Sequence, residues 1–138
     1  MIGDLEREGL IKRLPVNPRK VEDSLDYAHR DLATSRAVLP TDSDWAYTIA
    51  YNAVLQAGRA LMFSKGYRPD GAHQHSAVVK FAGLFLDEQD AITFDRMRRM
   101  RNSSVYETAG SIPAEQAEGA IRSAEALVCR IEACIQRG

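Results

Sequence analysis

The sequence predicts an all-α protein, an up-and-down helical bundle of four long helices plus a shorter one. Three observations carry that prediction. Apolar residues recur at helical spacing in several long windows, and strong breakers separate those windows. No segment alternates with period two, and no repeat of roughly 20 to 50 residues is visible. The 138 residues suit one domain, large enough to bury about two thirds of its unfolded surface around a single core.

Residues 1–16 read as a lead-in of one or two helical turns, with Leu5, Leu10, Ile11 and Leu14 as contacts and Pro15 closing it. The bundle domain then spans residues 17–138. Asn17 can cap the first long helix, Pro18 suits its first position, and Glu22 and Asp23 complement its dipole. Val21, Leu25, Ala28, Leu32 and Leu39 make its apolar stripe before Pro40 ends it. After the capping run Thr41-Asp42-Ser43-Asp44, a second helix is expected from Asp44 to Lys65, stopped by Gly66. It is apolar over most of its circumference, with Thr48, Asn52, Gln56 and Arg59 as a polar strip, which suits the middle of a bundle or an interface.

Pro69 and the Asp70-Gly71 pair break the chain before a shorter third helix from His73 to Leu86, which should bury Val78, Phe81, Ala82 and Phe85. Asp87 caps a fourth helix, expected to weaken at Asn102-Ser103-Ser104, whose side chains compete for backbone hydrogen bonds. Pro113 opens the last helix, striped by Ala117, Ala120, Ile121, Ala124, Leu127, Val128, Ile131 and Ile135.

The composition excludes several function classes. With 18 Lys+Arg against 19 Asp+Glu, a generally basic nucleic-acid-coating protein is ruled out, and nucleic acid could be met only locally. No apolar run approaches the roughly 18 residues of a membrane span, and the first residues lack a secretion-signal pattern, so a cytoplasmic protein is expected. Cys129 and Cys134, five apart on one helix, suit neither a disulfide nor a metal site and read as buried small apolar residues. His73 and His75 point to different sides of a helix, so no metal is expected, and His73 reads as a helix start. His29 reads as a surface residue. Nucleophile motifs, phosphate-cradling glycine loops and dinucleotide fingerprints are missing, and no cofactor is expected.

The unusual chemistry lies in Phe94–Tyr106, where Arg96, Arg98, Arg99 and Arg101 fall within six residues. On a helix, Phe94, Met97, Met100 and Val105 share one face and Arg101 falls near its middle. A guanidinium there needs an acidic or phosphate partner, because it stays charged and loses hydration on burial. It could pair with Asp44 or Asp31. Alternatively, Arg101, Asn102 and Tyr106 line a polar cleft that meets phosphate, with Arg98, Asp44, Tyr47 and Tyr51 as further ligand-binding candidates. Tyr47 and Tyr51 stand one turn apart on the second helix, and buried phenols of this kind need polar partners.

Several blocks, in order, resemble the HEPN family (higher eukaryotes and prokaryotes nucleotide-binding domain). They are Val21-x3-Leu25-x2-Ala28-x-Arg30-Asp31-Leu32, Trp45-Ala-Tyr47-x3-Tyr51-Asn52-Ala53, Arg59-Ala-Leu61-x4-Gly66 and Arg101-Asn102-x3-Tyr106. The resemblance covers about Val21 to Ile135. It implies an all-α bundle pairing as a homodimer, with a composite cleft in which Arg101 and Asn102 take the places of the family's catalytic arginine and polar residue. Many members are metal-independent endoribonucleases, often toxins of toxin–antitoxin pairs with a small nucleotidyltransferase partner, or parts of RNA-based defence. This chain departs at Tyr106, which stands where the family's histidine would be. A tyrosine titrates near pH 10 and is a poor base at neutrality. The expectation is therefore binding of RNA or a nucleotide phosphate with ribonuclease activity weak or lost. An active ribonuclease toxin and a helical protein-interaction module are the alternatives.

Overall fold

A computed structural model describes residues 1–106, 110 and 112–137, with the side chains of residues 103–106 outside the description. In chain order it contains α1 (Ile2–Arg7), β1 (Ile11–Arg13), α2 (Pro18–Val38), α3 (Ser43–Ser64), β2 (Tyr67–Pro69), α4 (Gln74–Gly83), α5 (Glu88–Tyr106) and α6 (Ala114–Gln136). The expected helices are all there, and their starts have the expected chemistry. The Asn17 side chain accepts from the Arg19 amide at 3.0 Å, and Asp42 accepts from Trp45 N at 3.0 Å. Asp87 accepts from Asp90 N at 2.8 Å. Each satisfies an amide that the first helical turn leaves open.

α3 runs through the middle, against α2, α4, α5 and α6. Its half-exposed positions include Thr48, Asn52, Gln56 and Arg59, the polar strip, while most of its other faces are buried. α6 buries Ala117, Ala120, Ile121, Ala124, Leu127, Val128 and Ile131 as one stripe. α4 and α5 add Val78, Phe81, Ala82, Phe94 and Met97 to the same core. Full burial of a Phe81 or Phe94 side chain contributes about 1.5–3 kcal/mol each.

Five features differ from expectation. α4 ends at Gly83 and leaves Phe85 only partly buried. α2 buries Ser24, Ala28, Asp31 and Ser35, with Leu25, Leu32 and Leu39 only partly covered. Small side chains occupy the line of contact and the leucines flank it. α5 continues through Asn102, Ser103 and Ser104 to Tyr106 instead of weakening there. Cys129 is exposed and only Cys134 is buried. The lead-in forms a strand as well as a helix: β1 and β2 pair antiparallel, Ile11 opposite Pro69 and Arg13 opposite Tyr67. Three-residue strands are too short to show period two, and Pro69 is tolerated because this ladder is all edge. The pairing continues through Leu14 N to Gly66 O and Asp70 N to Leu10 O, both 2.9 Å. Leu5 and Ile11 are buried in the core. The lead-in thus clamps the connection that delivers the start of α4.

Candidate functional site

α4 begins against the C-terminal half of α5, and their junction is a cleft of about 300 Å³ lined by Ala72, His73, Gln74, His75, Ser76, Arg98, Arg101 and Asn102. The close approach of α4 to α3 depends on Gly58. A Cβ there would stand 2.5 Å from Val78 Cγ1, so this helix position needs glycine for space and not for its backbone freedom. On α5, Phe94 and Met97 point into the core, and Arg101 extends the same stripe to the place where the helix leaves it.

The arginines are held differently. Arg98 donates through Nε and Nη2 to Asp95 Oδ1 at 3.2 and 3.0 Å, and Arg99 donates to Asp95 Oδ2 at 2.8 Å through Nε. Burial works against the Asp95 carboxylate, yet the hydrogen bonds from Arg99 and Arg98 hold it below its ordinary range. Arg101 has no carboxylate among the described residues; its hydrogen bond goes to Asn102 Oδ1 at 3.3 Å. The two carboxylates that could have neutralised it are engaged elsewhere. Asp44 accepts from Gly110 N and, at 3.0 Å, from Ile112 N, tying the approach to α6 onto the start of α3. Asp31 is 5% exposed and takes Asn52 Nδ2 at 2.9 Å together with the Arg30 guanidinium.

Beneath the cleft, the Tyr51 hydroxyl meets His75 Nδ1 at 3.1 Å, with the rings tilted and 5.8 Å apart. The other side of Tyr51 packs on Phe94 at 6.1 Å. Burial pushes the Tyr51 phenol up to about 12 against the pull of Arg98, Arg101 and Arg59. His75 is lowered from its ordinary value, first by burial and then by Arg59, Arg101 and Arg98. Arg59 is itself lowered by burial, with Tyr51 opposing the shift. Burial and three guanidiniums therefore disfavour the charged form of one imidazole. An anion entering the cleft would relieve their mutual repulsion.

Of the residues singled out in the sequence, Arg98, Arg101 and Asn102 stand together on the cleft wall, and Tyr51 reaches it through His75. Tyr47 is buried one turn away, its phenol raised to about 12 by burial with Arg96 opposing, and it does not line the cleft. Asp44 anchors the chain before α6. The Tyr106 side chain lies outside the described residues. His73, read as a helix start, does occupy the N-cap of α4, but it also lines the cleft. His75 and Arg59 are the functional candidates that sequence reasoning missed. Spacing along one helix says nothing about what a neighbouring helix brings alongside.

The structure is thus an all-α bundle with a cleft between two of its helices that is lined by two arginines, two histidines and polar side chains. The HEPN domain profile matches residues 21–134, and the chain belongs to the HEPN domain family, a family of nucleotide-binding and RNase-type domains. Among solved structures it is similar in fold to TT1696 from Thermus thermophilus, with a TM-score of 0.66 and 18% identity over 83% of this chain and 98% of that one. Comparison with curated proteins gives no match. Among the described residues, no helix is long and apolar enough to cross a membrane, and no group of three or more His, Cys, Asp or Glu side chains could hold a metal ion.

Proposed function

We propose that this chain is a HEPN-type domain that binds RNA or a nucleotide phosphate in the cleft between α4 and α5, with ribonuclease activity weak or lost. The observation that carries the reading is Arg101, placed at the cleft wall beside Arg98 and without a carboxylate among the described residues. A planar guanidinium that is already partly desolvated forms strong, short bonds to phosphate oxygens. Asn102 supplies an amide donor, and Asp95 holds Arg98 in place. HEPN domains often dimerise, and we propose a homodimer in which two such clefts face one extended ligand.

The second reading, a metal-independent endoribonuclease toxin of a toxin–antitoxin or defence system with a small nucleotidyltransferase partner, is favoured by one observation. His75 brings an imidazole to the cleft although Tyr106 stands at the motif position. Both readings are tested with a mixed pool of labelled RNAs in EDTA, comparing wild type, Arg101→Ala and Tyr106→His. Binding that Arg101→Ala removes, without wild-type cleavage and with cleavage gained in Tyr106→His, supports the first reading. Wild-type cleavage lost in Arg101→Ala supports the second. Undiminished binding by a folded Arg101→Ala protein contradicts the first, and undiminished cleavage by it, or no cleavage by the wild type, contradicts the second.

A further inference from the structure

His75 is held so that it can change charge without moving. Its Nδ1 is engaged by the Tyr51 hydroxyl, which leaves Nε2 as the ring nitrogen available to the cleft that the residue lines. A hydroxyl can donate or accept. It can give its proton to Nδ1 of a neutral imidazole and, after rotating, receive Nδ1–H from an imidazolium. Tyr51 is 1% exposed and wedged against Phe94, so its oxygen stays in place in both states. In the free protein the surroundings oppose the charged form: the ring is partly buried, and Arg59 from α3 and Arg101 and Arg98 from α5 act on it as well. His73 lies on the same cleft. The nearby carboxylate on α5, Asp95, is engaged by Arg98 and Arg99.

We propose that His75 is a direct ligand of the bound phosphate and takes up a proton as the phosphate enters. This rests on the phosphate-binding reading of the cleft and adds a residue and a linkage to it. A phosphodiester contributes negative charge beside three guanidiniums and offsets the repulsion that, after burial, disfavours the charged imidazole. The protonated ring then donates Nε2–H to a phosphate oxygen in a charge-assisted hydrogen bond. Binding should therefore be proton-linked, with affinity rising at most about tenfold per pH unit as the pH falls between the ligand-bound and free values of His75.

The test is isothermal titration of the full chain with a single-stranded RNA oligonucleotide bearing hydroxyl ends, whose phosphodiesters do not titrate in the range where histidine does. It is run in EDTA from about pH 5.5 to 7.5, in two buffers of different ionisation enthalpy. The expected result is proton uptake approaching one per cleft, lost in His75→Gln while weaker binding persists, and retained in His73→Gln. Tyr51→Phe should keep binding but shift the pH at which uptake is greatest. Binding without uptake, or uptake unchanged in His75→Gln, overturns the proposal and leaves the phosphate-binding reading intact. Failure of the wild type to bind the oligonucleotide overturns both.

Discussion

Two regions of the molecule treat charge in opposite ways. Along the α2–α6 seam, Arg36 is forked between Glu118 and Glu125 at 2.7–2.9 Å, and His29 meets Glu132 at 2.6 Å. Inside that half, Asp31 is closed off by Asn52 and Arg30. At the α4–α5 cleft, Arg98 and Arg101 share the lining with His75, and burial, Arg59, Arg101 and Arg98 together disfavour its charged form, while Asp95 engages Arg98 and Arg99. Charges matched within the chain link neighbouring helices; an excess of one sign in a concave place is what the proposed anionic ligand would balance. This contrast supports the proposed site independently of the family.

The comparison can be broken from its paired side first. Asp31→Ala leaves the Asn52 amide and the Arg30 guanidinium without their shared acceptor at the α2–α3 contact. It should lower stability by about 1–3 kcal/mol in urea unfolding, with a smaller effect on the RNA affinity of the folded protein, since Asp31 does not line the cleft. Gly58→Ala acts on the boundary between the two regions. The methyl meets Val78, a stiff β-branched side chain, and overpacking of about 1–3 kcal/mol should exceed the roughly 1 kcal/mol that alanine gains over glycine in a helix. The expected outcome is a small net loss of stability, with RNA affinity reduced because α4 carries His75 away from Arg101.

A pH scan sharpens the unpaired side. The folded value of His75 is depressed by burial, Arg59, Arg101 and Arg98, so the unfolded chain binds this proton at a higher pH than the folded one. Its contribution favours folding above the ordinary histidine value of about 6.5 and is lost as the pH falls from there through the depressed folded value. Thermal unfolding of the free protein should show that decline, and His75→Gln should flatten it. The smallest effect is expected from Arg36→Ala. Its ion pairs are partly solvated, so the midpoint should fall only slightly, and less still at high salt.

The helices were legible in the sequence because their information is local. Asn17 and Pro18 mark one start, Asp42 another, and the stripe from Ala117 to Ile131 gives a helix its buried face from spacing alone. The α2 contact was only half legible. Leucines look like the seam, but where two helices come close the seam belongs to Ser24, Ala28, Asp31 and Ser35. The β1–β2 ladder left too few residues to show a period. At the site, Arg101 stood out because a cation on an apolar face is locally inconsistent. His75 did not, because its meaning comes from Tyr51, 24 residues earlier, and Arg101, 26 residues later.

The central claim is that the α4–α5 end, and not basic charge in general, receives a phosphate ligand. The most direct test is the affinity of an RNA oligonucleotide, in EDTA at fixed ionic strength, for wild type, Arg101→Ala and Arg36→Ala, each checked for helical content. The account predicts a loss on the order of tenfold to a hundredfold for Arg101→Ala, with Arg36→Ala close to wild type. Equal losses in the two variants, or none in Arg101→Ala, would contradict it.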